Sequence, residues 1–158
     1  NIKMLMEKAD KDSFYDLYKA FCTGNSVQKN GMLAFRYLVL AANKNNVNAQ
    51  YDLATVYADP SSKLSKFFMD SGIVIPDTGI INSTANIMKK NETIEKEKIA
   101  TYWYKRAADN GNGAATFEYA NRLEAGMGVE KKLDMAKEYY KKAFYDYGIL
   151  EAEKKIRK

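Results

Sequence analysis

The residue types that most enzymes use for chemistry are scarce in this chain. Histidine is absent, and Cys22 is the single cysteine. Without an imidazole, neither a serine or cysteine triad nor the usual zinc site can form. The 20 acidic residues could support carboxylate catalysis, but no pair of them stands apart from helix-surface charge. The sequence therefore predicts a protein that is not an enzyme and that holds no metal and no cofactor.

Two further patterns that could bind phosphate or nucleic acid are incomplete. Residues Gly126, Met127 and Gly128 have the spacing of a phosphate-binding loop, but no strand precedes them and no lysine–serine pair follows. We interpret them as a turn between helices. The 25 basic residues are interspersed with the acids, so the net charge of +5 does not predict nucleic acid binding. No apolar run reaches the roughly 20 residues of a membrane span, and none is predicted.

An aromatic residue followed by an acid recurs three times and is the pattern most suggestive of binding. The pairs are Tyr15-Asp16, Tyr51-Asp52 and Phe117-Glu118. At 100° per residue, both members lie on the side of a helix that faces away from its partner helix. Such rows suit a basic or aromatic-rich peptide, because carboxylates pair with cations and rings supply apolar contact area. The alternative is that the rings pack between neighbouring units and the acids are solvated or cap turns.

These pairs recur because the chain repeats at a spacing of 36 residues, once lengthened to 66 by an insertion of 30. The first stripe reads Ser13, Leu17, Phe21, then Ala49, Leu53, Tyr57, then Ala115, Tyr119, Leu123. The second reads Ala34, Tyr37, Leu38, Ala41, then Ala100, Trp103, Tyr104, Ala107, then Ala136, Tyr139, Tyr140, Ala143. Both stripes have helical spacing, with alanines for close approach and aromatics to fill the remaining volume.

The predicted organisation is one all-α domain over residues 1–158, a length that buries roughly 70% of the unfolded surface. It comprises a cap at 1–11, repeat one at 12–46, repeat two at 47–112 carrying an insertion at 61–93, repeat three at 113–148, and a closing helix at 149–158. Asp12 or Ser13 is predicted to cap the first full helix. Asn46 or Asn48 is predicted to cap the third.

Three sequence strings resemble the Sel1-like repeat, a tetratricopeptide-like helical hairpin: A-x-x-x-L-x-x-x-Y, G-x-G-V, and A-T-Y-W-Y-K-R-A-A-D-N-G-N at 100–112. The chain departs from that pattern at Asp59-Pro60, at Val39-Leu40 and at Glu151. The resemblance implies a right-handed superhelix of about three helix pairs with capping helices, whose first helices line a concave surface. It also implies an adaptor, scaffold or immunity-type inhibitor that binds a protein or peptide. It favours a periplasmic or secreted location, and a cytoplasmic one stays open.

The insertion is a second candidate binding surface because it is too apolar for a linker. Its candidate residues are Phe67, Phe68, Met69, Ile73, Val74 and Ile75. We predict short helices over 61–70 and 83–90. We also predict that the insertion folds back over Val39-Leu40 or a neighbouring groove, in preference to serving as a docking loop.

The sequence is also compatible with two other functions. Tyrosine and tryptophan faces with carboxylates could bind or act on cell-wall glycans, but Trp103 lies at a predicted core position. End-to-end stacking of chains would instead give a structural assembly, detectable as a mass in solution that depends on concentration. The sequence favours a monomer that binds another protein.

Overall fold

A computed structural model describes residues 2–73 and 92–157, which form nine α-helices and no β-strand. They are α1 (Ile2–Lys8), α2 (Lys11–Thr23), α3 (Gly31–Asn43), α4 (Val47–Ala58), α5 (Lys63–Asp70), α6 (Glu92–Asp109), α7 (Gly113–Ala125), α8 (Leu133–Tyr147) and α9 (Glu151–Ile156). The helices fall where the repeat pattern predicts them, which confirms the all-α class. None of these helices has the length and apolar character needed to cross a bilayer.

The helices pack as successive antiparallel pairs. Contacts are most extensive between α2 and α3, between α4 and α6, and between α7 and α8. The pairs are joined by α3 against α4 and by α6 against α7, while α1 covers α2 and α9 covers α8. The alanines of the second stripe are buried: Ala34, Ala41, Ala100, Ala107, Ala136 and Ala143. Small side chains at these positions allow the close helix contacts that the sequence predicts. The hand of the superhelix and the repeat boundaries stay predictions.

The first helix of each pair begins at a polar cap, and the caps recur with the repeat. The side chains of Asp10, Asn46 and Asn112 accept hydrogen bonds from the backbone N–H three residues later, at 2.8, 2.8 and 2.7 Å. Asn46 was one of the two predicted caps for α4. The prediction of Asp12 or Ser13 for α2 was wrong: Ser13 is buried one turn inside the helix, where its N–H donates to Asp10.

The segment from Gly126 to Val129 is a turn between α7 and α8, as predicted. Gly126 ends α7 in the left-handed conformation, and its N–H donates to the Arg122 carbonyl. The Met127 carbonyl accepts a hydrogen bond of 2.8 Å from Thr101 Oγ1 on α6. This turn therefore fastens repeat three to the preceding pair.

The described part of the insertion packs against the repeats. Its helix α5 contacts α3 and α4. Phe68 is completely buried, with its ring 5.2 Å from that of Phe35 on α3 in an edge-to-face arrangement. Phe35 lies one helical turn before Val39, so α5 packs on the same side of α3 as Val39. Cover of the Val39-Leu40 pair itself stays a prediction. Ser65, also buried, donates to the carbonyl of Asp59 at 2.9 Å.

These contacts correct one candidate and leave others at the surface. Phe68 cannot dock a partner because its side chain belongs to the core. Phe67 and Ile73 are half-buried, and Met69 is exposed. Val74, Ile75 and the predicted helix at 83–90 lie outside the described residues.

Candidate functional site

The three aromatic–acid pairs lie on one side of α2, α4 and α7, which we call the first-helix face. Tyr15, Tyr51, Phe117, Asp52 and Glu118 are half-buried on it, and Asp16 is exposed. Each pair occupies the middle of its helix, one turn or more from the cap. The face is therefore carried by regular, well-anchored backbone rather than by loops.

Each aromatic residue of the row packs against another ring. Ring centroids lie 5.4 Å apart for Tyr15 and Tyr18. They lie 5.8 Å apart for Tyr51 and Tyr104, and 5.8 Å apart for Phe117 and Tyr140. These contacts support the packing alternative for the rings. Each of these residues nevertheless stays partly exposed to solvent, so the same residues still present apolar surface.

Asp52 joins repeat two to repeat one. Its carboxylate accepts hydrogen bonds from the Tyr18 hydroxyl at 3.0 Å and from the Tyr15 hydroxyl at 3.4 Å. Burial raises the pKa of Asp52, against the opposing effect of the two hydroxyl donors and of Lys19. Burial, assisted by the charge of Asp52, also raises the pKa of Tyr15 to about 12. The acid of one repeat thus contacts the aromatic residues of the repeat before it.

Replacing Asp52 by alanine is expected to lower the free energy of unfolding by about 2 kcal/mol, because the buried Tyr18 hydroxyl loses its acceptor. Asp52→Asn keeps an acceptor oxygen and removes a half-buried charge, so it should lie within about 0.5 kcal/mol of wild type. Urea denaturation followed by circular dichroism measures both. Equal losses in the two variants would show that the charge, and not the hydrogen bonds, matters.

Glu118 is the equivalent acid of repeat three, but its surroundings differ. No hydrogen bond or ion pair to its carboxylate occurs within the described part of the chain. Burial raises the pKa of Glu118, with Arg122 acting in the opposite direction. The charge of Glu118 in turn helps to raise the pKa of Tyr51, Tyr104 and Tyr140, after burial as the main cause. The charge of Glu118 thus acts on tyrosines of three different helices, α4, α6 and α8.

Arg122 is the cation whose charge counteracts the raised pKa of Glu118, and its guanidinium group is already held elsewhere. It is almost fully buried and donates to Glu97 Oε1 at 3.2 Å and to Thr101 Oγ1 at 3.1 Å. It also lies 5.3 Å from the centroid of the Tyr104 ring. Arg122 therefore connects α7 to α6 and offsets the charge of Glu97.

A charged, half-buried carboxylate without a hydrogen-bond donor should destabilise the fold. A raised pKa in the folded state means that this destabilisation is absent below the ordinary value of 4.5 and grows as the pH rises through the folded pKa. We expect Glu118→Gln to raise the melting temperature by about 1–3 °C at neutral pH. The gain should vanish near pH 4. Thermal unfolding at several pH values measures this, with the exposed Glu130→Gln as control; a gain that does not depend on pH would contradict the explanation.

Asp16 lies apart from the other five residues of the three aromatic–acid pairs. It lies beside a groove of about 460 Å³ between α1 and α2, which Ile2, Leu5 and Lys19 also line. The structure thus brings Tyr15 to Asp52, and it leaves Asp16 at the end of the row.

Sequence reasoning missed Tyr18 and Arg122, and it placed Tyr104 and Tyr140 only in the packing stripe of the second helices. The repeat register holds a signal for Tyr18, because the equivalent positions in the other repeats are Ala54 and Ala120. A tyrosine at a position where the other two repeats have alanine indicates that repeat one makes different contacts there. No comparable signal points to Arg122, whose partners come from 21 and 25 residues earlier in the chain.

The described residues include neither a candidate metal site nor an activated cysteine. In residues 2–73 and 92–157, no group of three or more cysteine, aspartate or glutamate side chains is placed to hold a metal ion. Cys22 is half-buried, and burial raises its pKa to about 11. Its thiol is therefore protonated at neutral pH and a weak nucleophile.

Comparison with solved structures identifies proteins of similar fold. A crystal structure of a Sel1 repeat protein from Oxalobacter formigenes superposes with a TM-score of 0.69 and 24% sequence identity, over 99% of this chain and 94% of that chain. This similarity shows the fold. A protective antigen of uropathogenic Escherichia coli strains with an SLR fold aligns over 96% of this chain and 34% of its own, with a TM-score of 0.45 and 21% identity.

Sequence comparison gives the family. No curated protein matches the chain. The family model described as Sel1 repeat matches residues 19–46, 93–112 and 113–146, which together make up just over half of the chain. The last two segments contain two of the three strings that carry the resemblance, including Trp103 and the Gly126 turn. The chain therefore belongs to the Sel1 repeat family.

Proposed function

We propose that this protein binds a protein or peptide partner on its first-helix face and acts as an adaptor, scaffold or inhibitor. Sel1 repeat proteins are in general protein-interaction modules and non-catalytic scaffolds. The narrower proposal assigns the partner to the face that carries Tyr15, Tyr51, Asp52, Phe117 and Glu118. The resemblance to the family predicts that this face is concave.

The observation that carries the proposal is the continuity of the face across three repeats. Half-buried aromatic residues follow one another from α2 to α4 to α7, and each of these rings packs against another aromatic ring. Side chains that are already ordered lose little entropy when a partner binds. A rigid surface with alternating apolar and acidic character favours an extended peptide or a partner helix.

No observation favours the glycan alternative. Trp103, the only tryptophan, is completely buried, so it cannot stack on a sugar ring at the surface. Its position in the core matches the register with Tyr37 and Tyr139. The carboxylate of Asp52 accepts hydrogen bonds from Tyr15 and Tyr18, which accounts for this acid without a sugar.

Affinity capture from cells of the native organism tests the proposal, with partners quantified by mass spectrometry. The bait variant Tyr51→Ser/Glu118→Gln alters the first-helix face. The control Tyr145→Ser/Glu130→Gln makes the same two changes at exposed sites on α8 and in the turn before it. Circular dichroism confirms that both variants fold.

We expect the first-helix variant to capture the partner at least about tenfold less efficiently, with capture by the control unchanged. The reverse pattern, or full retention by both variants, would overturn the assignment of the partner to this face. The partner recovered by the wild-type bait also supplies the ligand for quantitative binding measurements.

A further inference from the structure

A groove of about 340 Å³ lies where the insertion meets repeat one. Its lining residues come from the end of α2, from the loop between α2 and α3, and from α5: Cys22, Lys29, Lys63, Leu64 and Phe67. Cys22, Leu64 and Phe67 are half-buried, and the two lysines are exposed. The groove therefore combines partly buried apolar side chains with two exposed cations.

Both sides of this groove are held by local contacts. The Asn30 N–H donates to the Phe21 carbonyl at 3.0 Å, which holds the loop between α2 and α3 against the end of α2. On the other side, α5 packs closely on the start of α3, where a Cβ at Gly31 would collide with Ser71 and lie 3.5 Å from Phe67 Cζ. The groove is therefore preformed, and little ordering is needed when a ligand enters it.

The charge along the groove is positive. Residues 24–30 and 62–69 include Lys29, Lys63 and Lys66 but no acid. Within the part of the chain that the structure describes, neither Lys29 nor Lys63 forms an ion pair. The groove therefore presents cations that an anionic ligand could pair with.

Lys29 brings this charge to the apolar surface. Its Nζ lies 5.6 Å from the centroid of the Phe67 ring. Burial, assisted by the charge of Asp52 and opposed by that of Lys29, raises the pKa of Cys22 to about 11. The Asp52 carboxylate already accepts a hydrogen bond from Tyr18 and does not line the groove. A carboxylate that pairs with Lys29 would thus hold its neighbouring side chain close to the Phe67 ring.

We propose that this groove binds an acidic segment of a partner protein, in which a glutamate or aspartate is followed by a bulky apolar residue. Lys29 and Lys63 attract the carboxylate, and they repel a basic segment. Leu64 and Phe67 select the apolar residue, because contact with it removes their exposed apolar surface from water. The inference goes beyond the proposed function, since none of these residues belongs to the aromatic–acid pairs of the first-helix face.

Three matched peptides test this directly. The first is the tetrapeptide Gly-Glu-Phe-Gly, acetylated and amidated to remove terminal charges. The second has glutamine in place of glutamate and lacks the charge. The third has serine in place of phenylalanine and lacks the apolar group. Each is titrated at low salt into the isotopically labelled full chain, and backbone amide chemical shifts are recorded by NMR.

The Glu-Phe peptide is expected to shift the amides of residues 22, 29 and 63–67. The other two peptides should each bind at least about fivefold more weakly. The variant Lys29→Gln/Lys63→Gln should weaken binding of the Glu-Phe peptide by a similar factor. The control Lys137→Gln/Lys142→Gln makes the same change at two exposed sites on α8 and should leave it unchanged. Circular dichroism confirms that both variants fold.

Three results would overturn the proposal. The first is equal binding of the glutamate and glutamine peptides, or no binding of either. The second is full binding of the Glu-Phe peptide by Lys29→Gln/Lys63→Gln. The third is a shift of the same amides with protein concentration in the absence of peptide, which would assign the groove to a second copy of the chain. None of these results bears on the first-helix face, so the proposed function is tested separately.

Cys22 supplies a second measurement, because it lines the groove and is the only cysteine of the chain. Its alkylation by iodoacetamide is followed by intact mass at mildly alkaline pH, where the lysines stay charged. The Glu-Phe peptide should slow alkylation in proportion to the occupied fraction that NMR gives. An unchanged rate at high occupancy would place the peptide outside the groove and contradict the proposal.

Discussion

Replacing Trp103 by alanine is expected to lower the free energy of unfolding by about 4 kcal/mol, among the largest effects of any single substitution here. Trp103 is the largest completely buried side chain of the described residues. Tyr102 packs edge-on against it with a centroid distance of 5.0 Å, and the Arg106 guanidinium lies 5.0 Å from the ring. An alanine would leave a cavity that these neighbours cannot close by small movements.

The expected loss is a large share of the 5–15 kcal/mol that typically stabilises a domain. It should be measured by urea denaturation with far-ultraviolet circular dichroism, because the substitution removes the only tryptophan fluorophore. Tyr139→Ala is the matched control, since Tyr139 occupies the equivalent position in repeat three and is only half-buried. It should cost about half as much. Equal losses would contradict the view that Trp103 is the centre of the core.

Gly128→Ala is expected to cost about 3 kcal/mol, the second large effect. Gly128 has a φ of +70°, which is unfavourable for any residue with a Cβ. A Cβ there would also collide with the carbonyl of Glu97 and lie 2.8 Å from the Lys98 nitrogen. These are backbone atoms of α6, so they cannot rotate away. The turn would have to move, and the Thr101 to Met127 hydrogen bond of 2.8 Å would be lost.

Gly148→Ala separates the two causes of this loss. Gly148 has a nearly identical φ of +69°, but a Cβ there would meet no atom within 4 Å. It should cost only about 1 kcal/mol, the strain of the left-handed conformation alone. Urea denaturation of both variants gives the comparison. Similar losses at the two positions would show that contact between the turn and α6 is unimportant.

Most of the fold could be predicted because each helix carries its own periodic pattern. The stripe that begins at Ala34 recurs at Ala100 and Ala136, and each copy predicts a helix with a small, close-packed face. The helix caps were less predictable. Asp12 and Ser13 are good capping residues, as is Asp10, and local preference does not choose between them. The repeat register does, since Asp10 lies 36 residues before Asn46 and 102 before Asn112.

The candidate site was only partly predictable because its contacts run between repeats. The sequence places Tyr15, Asp52 and Glu118 on the same side of their helices, but it does not fix the offset between neighbouring helices. That offset brings the Tyr15 hydroxyl to Asp52, and it leaves Glu118 without a donor. The role of Phe68 was also undetermined, since an aromatic residue in an insertion can pack inward or bind a partner. The contact with Phe35 decides it.

The most direct test of a partner on the first-helix face is hydroxyl-radical footprinting of the chain alone and in complex with the captured partner. The method reports solvent access to aromatic side chains, and the half-buried, partly exposed rings of Tyr51 and Phe117 are suitable reporters. Tyr145 on α8, which is 71% exposed, serves as the internal control. We predict that the complex protects Tyr51 and Phe117 and leaves Tyr145 labelled as before. Protection of Tyr145 with unchanged labelling of Tyr51 and Phe117 would contradict the account.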